Sequence, residues 1–219
     1  MEPNVYQSPS SGQSSAGING PYRRFRNNSF LAALLITGII LDAMFNAFFC
    51  MVTITGNTID IVPNAAQMIP ALTSVQLGVA IMCIVLFFAW VNRTCKNAWL
   101  LDPPHINITP RMAVGYFFIP VVNLWKPYVA MKQIRKASYG SDHPLSKVLP
   151  LWWTSWLVLT VLVFALVMVQ ENNPTEQGME IARKLGIIRT PVKLVFYFLS
   201  IALIHHLTRS QKARIERRR

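Results

Sequence analysis

Four apolar runs, each about as long as a bilayer is thick, constrain this chain more than anything else in it. Phe30 to Thr55 reads FLAALLITGIILDAMFNAFFCMVTIT, and Ala71 to Val91 reads ALTSVQLGVAIMCIVLFFAWV. Val148 to Gln170 reads VLPLWWTSWLVLTVLVFALVMVQ, and Pro191 to Leu207 reads PVKLVFYFLSIALIHHL. Crossing the hydrocarbon core takes about 20 such residues, and a helix satisfies its own backbone groups there. Composition agrees, with 53% hydrophobic and 14% charged residues, where a soluble domain carries about 25% charged. The expectation is an all-α integral membrane protein, a four-transmembrane-helix bundle over residues 30–207. The arm at 1–28 is rich in Ser, Gly, Pro and Gln and cannot bury a core, so it is expected to be disordered and cytoplasmic. It also lacks the basic start and apolar centre of a signal peptide. Pro70 and Pro191 read as helix starts, where a missing N–H costs nothing.

The basic residues set the orientation. The arm carries Arg23, Arg24 and Arg26, and the segment between the second and third runs carries Arg93, Lys96, Arg111, Lys126, Lys132, Arg135, Lys136 and Lys147. The basic tail, 208–219, adds Arg209, Lys212, Arg214, Arg217, Arg218 and Arg219. The first loop has no Lys or Arg, and the third, Glu171 to Thr190, balances Arg183, Lys184 and Arg189 with three glutamates. Basic loops stay inside, so both termini are expected in the cytoplasm and the protein in the cytoplasmic (inner) membrane. The net charge of +12 then serves topology and anionic inner-leaflet lipid, at about 1 kcal/mol per basic residue near the surface. Nucleic acid is not needed to explain it.

Inside the basic loop lies GYFFIPVVNLWKPY, Gly115 to Tyr128. The uncharged stretch Met112–Trp125 would reach about 21 Å as a helix, short of a hydrocarbon core of about 30 Å. A fifth span would also place one basic terminus outside. Residues 111–138 are therefore expected to form a cytoplasmic re-entrant or interfacial amphipathic segment. Pro120 cannot bond the carbonyl of Tyr116, nor Pro127 that of Asn123. Such backbone at membrane depth must be covered by protein or water. Trp125 and Tyr128 suit the headgroup level, and Lys126 can reach phosphate. Tyr116, Pro120, Asn123, Trp125, Lys126, Pro127 and Tyr128 are the binding candidates. Beyond them, Tyr128, Met131, Ile134 and Arg135 share one helical face and Lys132 and Lys136 another, as in a helix lying on the inner leaflet.

The run TPRMAVGYFFIPVVNLWKPYVAMKQIRKAS, with FAWVNRTCKNAWLL before it and LPLWWTSWLV after it, resembles the bacterial family called domain of unknown function 4328. The resemblance covers roughly Phe30 to Leu207, with Tyr116 where relatives are expected to carry Trp. It implies a small multi-span membrane protein and brings no activity, cofactor or substrate.

Asp42 is the sharpest single residue, an ionisable group near the middle of the first run. Gly38, Asp42 and Asn46 share a helix face. Thr160 and Ser200 are expected at similar depth on the third and fourth spans, and Gln76 near the level of Asn46. No basic residue is expected at mid-depth to pair with Asp42, and Lys193 reads as a boundary residue. The seam is either a proton or ion relay or interhelical hydrogen bonding at about 0.6 kcal/mol per contact. His205 and His206 are adjacent and point apart, so they make no metal pair. No nucleotide, hydrolase or zinc motif is present. Trp152, Trp153 and Trp156 read as an aromatic belt at the inner interface, and Cys50, Cys83 and Cys95 as small hydrophobes. No cofactor and no metal are expected. The leading expectation is a non-enzymatic protein binding a lipid or protein partner through Gly115–Tyr128, with a homo-oligomer also possible. The rivals are a small transporter or channel component using Asp42 and Asn46, and a membrane-embedded enzyme.

Overall fold

The computed structural model describes residues 24–55, 65–102, 104, 106–139, 145–173 and 175–217. The arm before Arg24 and the first loop lie outside them. Among the described residues, six α-helices follow in order: α1 (Ser29–Thr55), α2 (Ala65–Leu101), α3 (Pro110–Gly115), α4 (Lys126–Tyr139), α5 (Leu145–Asn172) and α6 (Glu176–Glu216). Among the described residues, α1, α2, α5 and α6 are the helices long and apolar enough to cross a membrane. The stretch at 112–125 makes no fifth one. It breaks into the end of α3 and two 3-10 turns, Tyr116–Phe118 and Val122–Leu124, with Pro120 between the turns and Pro127 in the first turn of α4.

Pro70 and Pro191 do not start helices; both lie inside α2 and α6. The start of α6 is set upstream instead, by Thr175, whose hydroxyl accepts from the Gly178 N–H at 3.2 Å, with Glu176 in the first turn of the dipole. Pro191 removes one backbone bond, and a long helix packed on neighbours tolerates that. α6 is therefore 41 residues long, about 60 Å at 1.5 Å per residue. This puts Lys193 well inside a helix and not at its edge.

α1 packs against α2 and α6, and α5 packs along α6, while α2 and α5 hardly meet. Gly38 lets α1 approach α2 closely, since a Cβ there would sit 2.8 Å from the Cys83 sulfur. At most 28% of each long helix's most apolar stretch is buried inside the protein. Ile40, Met44, Ile81, Val85, Val161, Phe164 and Phe198 all face outward.

The packed core sits at one end. There Trp90, Val91, Cys95 and Ala98 of α2 meet Met131, Ile134 and Ala137 of α4 and Leu203, Ile204 and Leu207 of α6, all essentially inaccessible. A buried polar network locks this end. The Asn97 amide accepts from the Arg26 N–H (3.1 Å) and donates to the Arg26 carbonyl (2.9 Å) and to Gln211 Oε1 (3.3 Å). Gln211 Nε2 donates to the Thr94 carbonyl (3.0 Å) and to Ser138 Oγ (2.9 Å). Arg214 reaches the Ala137 carbonyl at 2.7 Å. The chain's first described residues and the end of α6 therefore share one end of the bundle.

Two expectations change here. The α4 face carrying Met131, Ile134 and Arg135 is buried as its spacing implies, but against protein. Gln211 and Arg214 of α6 hold it, so its apolar face is not turned to the leaflet. Trp152 and Trp153 are core residues, 2% and 6% exposed, and form no surface belt. Their indoles donate to Ser200 Oγ (2.9 Å) and to the Leu124 carbonyl (3.1 Å), which fixes both rings inward.

A buried ion-pair cluster and its cavity as candidate functional site

Asp42, 6% exposed, lies about 20 Å along α1. One of its carboxylate oxygens accepts from the Tyr197 hydroxyl and lies 3.6 Å from the Lys193 ammonium. The other accepts from Asn46 Nδ2 (3.3 Å) and Gln76 Nε2 (3.4 Å). Asn46 completes the set. Its amide also donates to the Asp42 carbonyl (2.7 Å) and the Tyr197 oxygen (3.2 Å), and its own oxygen accepts from Lys193 at 2.9 Å. The Lys193 ammonium stands 5.4 Å from the centre of the Tyr197 ring, within cation–π range. Three helices thus bring five polar side chains together where the flanking surface is apolar.

Asp42 therefore does have a basic partner, contrary to the sequence expectation. Lys193 looked like a boundary residue because Pro191 looked like a helix start. The signal was nevertheless present: Lys193 and Tyr197 are four apart and share a face, as Asp42 and Asn46 do. Gln76 joins the cluster. Ser200 sits apart, bonded to Trp152 and to the Phe196 carbonyl (2.7 Å). Thr160 is exposed and returns its hydroxyl to the Trp156 carbonyl at 3.0 Å, so it is not part of the seam.

The cluster borders two cavities. The larger, about 430 Å³, lies where α2 and α5 touch only sparsely, as where Phe87 meets Trp152 with ring centres 6.2 Å apart, and Asp42, Lys193, Tyr197 and Ser200 face it. Its remaining walls are mostly apolar, with Phe87 and Phe88 of α2, Trp152 and Trp156 of α5 and Phe196 of α6. The smaller, about 220 Å³, is reached past Asn46 and Gln76 and is lined by Thr53, Thr73, Arg189 and Thr190.

The Gly115–Tyr128 segment closes one side of the larger cavity. Phe117 packs edge-on to Phe87 at 5.7 Å and against Phe88 at 5.4 Å, and Phe117 and Asn123 line the cavity. Asn123 Oδ1 is buried with no partner among the described residues. Lys126 stands 5.9 Å over the Tyr116 ring, and Tyr128 packs near Trp153. Pro127 is buried, while Pro120 and Trp125 are exposed. The candidate residues thus divide, with Asn123 turned to the cavity and Trp125 to the surroundings.

No group of three metal-ligating side chains occurs among the described residues. His205 and His206 are exposed and lie edge to face. The three cysteines are free thiols, Cys95 buried and Cys50 and Cys83 half-buried.

These features define a class, an all-helical bundle with four helices of membrane-crossing length and an ion pair in its interior. The chain belongs to the family described as Domain of unknown function (DUF4328), whose family model matches residues 56–209. No curated protein and no solved structure matches it. The match takes in Gln76, Lys193, Tyr197 and the whole Gly115–Tyr128 segment, and leaves Asp42 and Asn46 before its start.

Proposed function

We propose that this chain is a non-enzymatic four-span protein of the cytoplasmic membrane, with both termini inside, that binds a membrane amphiphile in the cavity between α2 and α5. The observation that carries this reading is the cavity itself. Its volume, about 430 Å³, falls within the usual 300–1,000 Å³ of ligand pockets, as does its apolar lining with a few convergent polar groups. It is bordered by α2 and α5, which make few contacts with each other, and an apolar chain would enter between them. Phe117 and Asn123 put the Gly115–Tyr128 segment in its wall, with Tyr116, Lys126 and Tyr128 nearby for a headgroup at the inner leaflet. Asn123 Oδ1 supplies an acceptor awaiting a donor.

Two measurements test it. Ala80 lines the cavity, and Ala80→Phe is expected to remove the lipid that co-purifies with the wild type, read by native mass spectrometry, while helix content is kept. Retention of every bound species by that variant overturns the reading. Orientation is read by impermeant thiol labelling of single cysteines at Thr55 and Lys136 in a cysteine-free background. Thr55→Cys is expected to label in intact cells and Lys136→Cys only after permeabilisation; the reverse pattern puts the segment outside.

A second reading, passage of an ion or proton along α1, draws on one specific observation. Asn46 and Gln76 face the smaller cavity while Asp42 and Lys193 face the larger, so the cluster stands between two spaces each large enough for several waters.

A further inference from the structure

The Lys193 ammonium occupies what is chemically an amine site. It is held by an amide oxygen at 2.9 Å, a carboxylate oxygen at 3.6 Å and the ring of Tyr197 at 5.4 Å. These are the elements that recognise an organic cation anywhere: a counter-charge, an acceptor and an aromatic face. Asp42 and Tyr197 are also in the wall of the aromatic cavity. A ligand lying among Phe87, Phe117, Trp152 and Phe196 would therefore present its polar end to the same carboxylate.

We propose that the cavity takes a lipophilic amine, a cation with an aromatic or alkyl body, whose ammonium replaces that of Lys193 on Asp42, Asn46 and Tyr197. This deepens the amphiphile reading and rests on it. Lys193 is a tethered stand-in for the ligand. Its four-carbon stem is flexible and its side chain is 25% exposed, so the ammonium can leave the cage without the helices parting. A neutral amphiphile would leave Lys193 where it is, while a cationic one competes with it. Asp42 without Lys193 keeps three hydrogen-bond donors, from Tyr197, Asn46 and Gln76, so the carboxylate is not stranded when the lysine goes.

The test compares two variants that both lack the lysine. Lys193→Met keeps the carboxylate, and Asp42→Asn/Lys193→Met removes the charge of both. The probes are 2-(1-naphthyl)ethylamine and its neutral partner 2-(1-naphthyl)ethanol, titrated into the purified full-length protein and followed by naphthyl fluorescence. If Lys193 fills the cage about nine-tenths of the time, its removal raises the apparent affinity for the amine about tenfold. The expected result is this gain in Lys193→Met, its loss in the double variant, and equal binding of the alcohol to all three proteins. Equal amine binding by the two variants overturns the inference while alcohol binding leaves the amphiphile reading standing. Binding of neither probe by any of the proteins overturns both.

Discussion

Trp90→Ala is expected to lower stability by about 3–5 kcal/mol, the usual cost of emptying a large buried aromatic site. Trp90 is fully inaccessible, stacks on Phe87 with ring centres 6.1 Å apart, and donates its indole N–H to Thr208 Oγ1 at 3.0 Å. It sits where α2 and α6 meet, within the buried core cluster, so the hole cannot close by a small shift of one helix. Trp90→Phe keeps much of the volume and loses the hydrogen bond, and is expected to cost about 1–3 kcal/mol, the penalty for a buried group left unsatisfied. Unfolding by detergent titration in mixed micelles measures both. Equal, small losses would mean that this end of the bundle is looser than its burial implies.

Asp42→Leu is the second large effect. It leaves the Lys193 ammonium facing Asn46 with no counter-charge; breaking one side of a fully buried pair costs about 3–5 kcal/mol, and because the lysine side chain is 25% exposed and can swing partly out, the loss is expected at or below the lower end of that range. Adding Lys193→Met removes the stranded charge, so the double variant is expected to regain most of the loss. The same titration, run as a four-protein cycle, measures the coupling between the two residues. An Asp42→Leu protein as stable as the wild type would mean that the pair is not closed in the bilayer. The double variant also bears on ion passage. A flux in reconstituted vesicles that disappears from a stable Asp42→Leu/Lys193→Met protein favours that reading, and a flux that persists removes it.

Much of this architecture was legible in the sequence because long apolar runs leave the backbone few ways to satisfy itself. A run such as Ala71–Val91 has to satisfy its backbone internally, so it reads as a helix whatever its neighbours are. The uncharged stretch around Gly115–Tyr128 is too short to cross and twice interrupted by proline, so its breakup into short turns was also readable. The i, i+4 spacing of Gly38, Asp42 and Asn46 put three residues on one buried face, and all three are there. What misled was proline. Pro191 is a good helix start locally, but a helix already capped at Thr175 runs through it, and that difference moved Lys193 from a boundary into the cluster. The one local sign of Tyr197's role was its place four residues after Lys193, and a tyrosine in an apolar run is as easily an interfacial anchor as a hydrogen-bond donor. Thr160 had suitable depth and the wrong azimuth, which depends on how α5 rotates against α6.

The sequence by itself determined the number of the long helices, the break between α3 and α4, and the presence of a carboxylate at mid-depth, but not where α2 and α6 begin. These follow from hydrophobic run length, proline and charge, which act through local backbone and solvent and need no partner. Tertiary structure alone decided which polar groups meet and where space is left. Asp42 and Tyr197 are 155 positions apart, and Asn97 and Gln211 are 114 apart, distances over which no periodicity carries information. The cavity exists because α2 and α5 pack on α1 and α6 and hardly on each other, and a missing contact leaves no mark on either helix's own sequence.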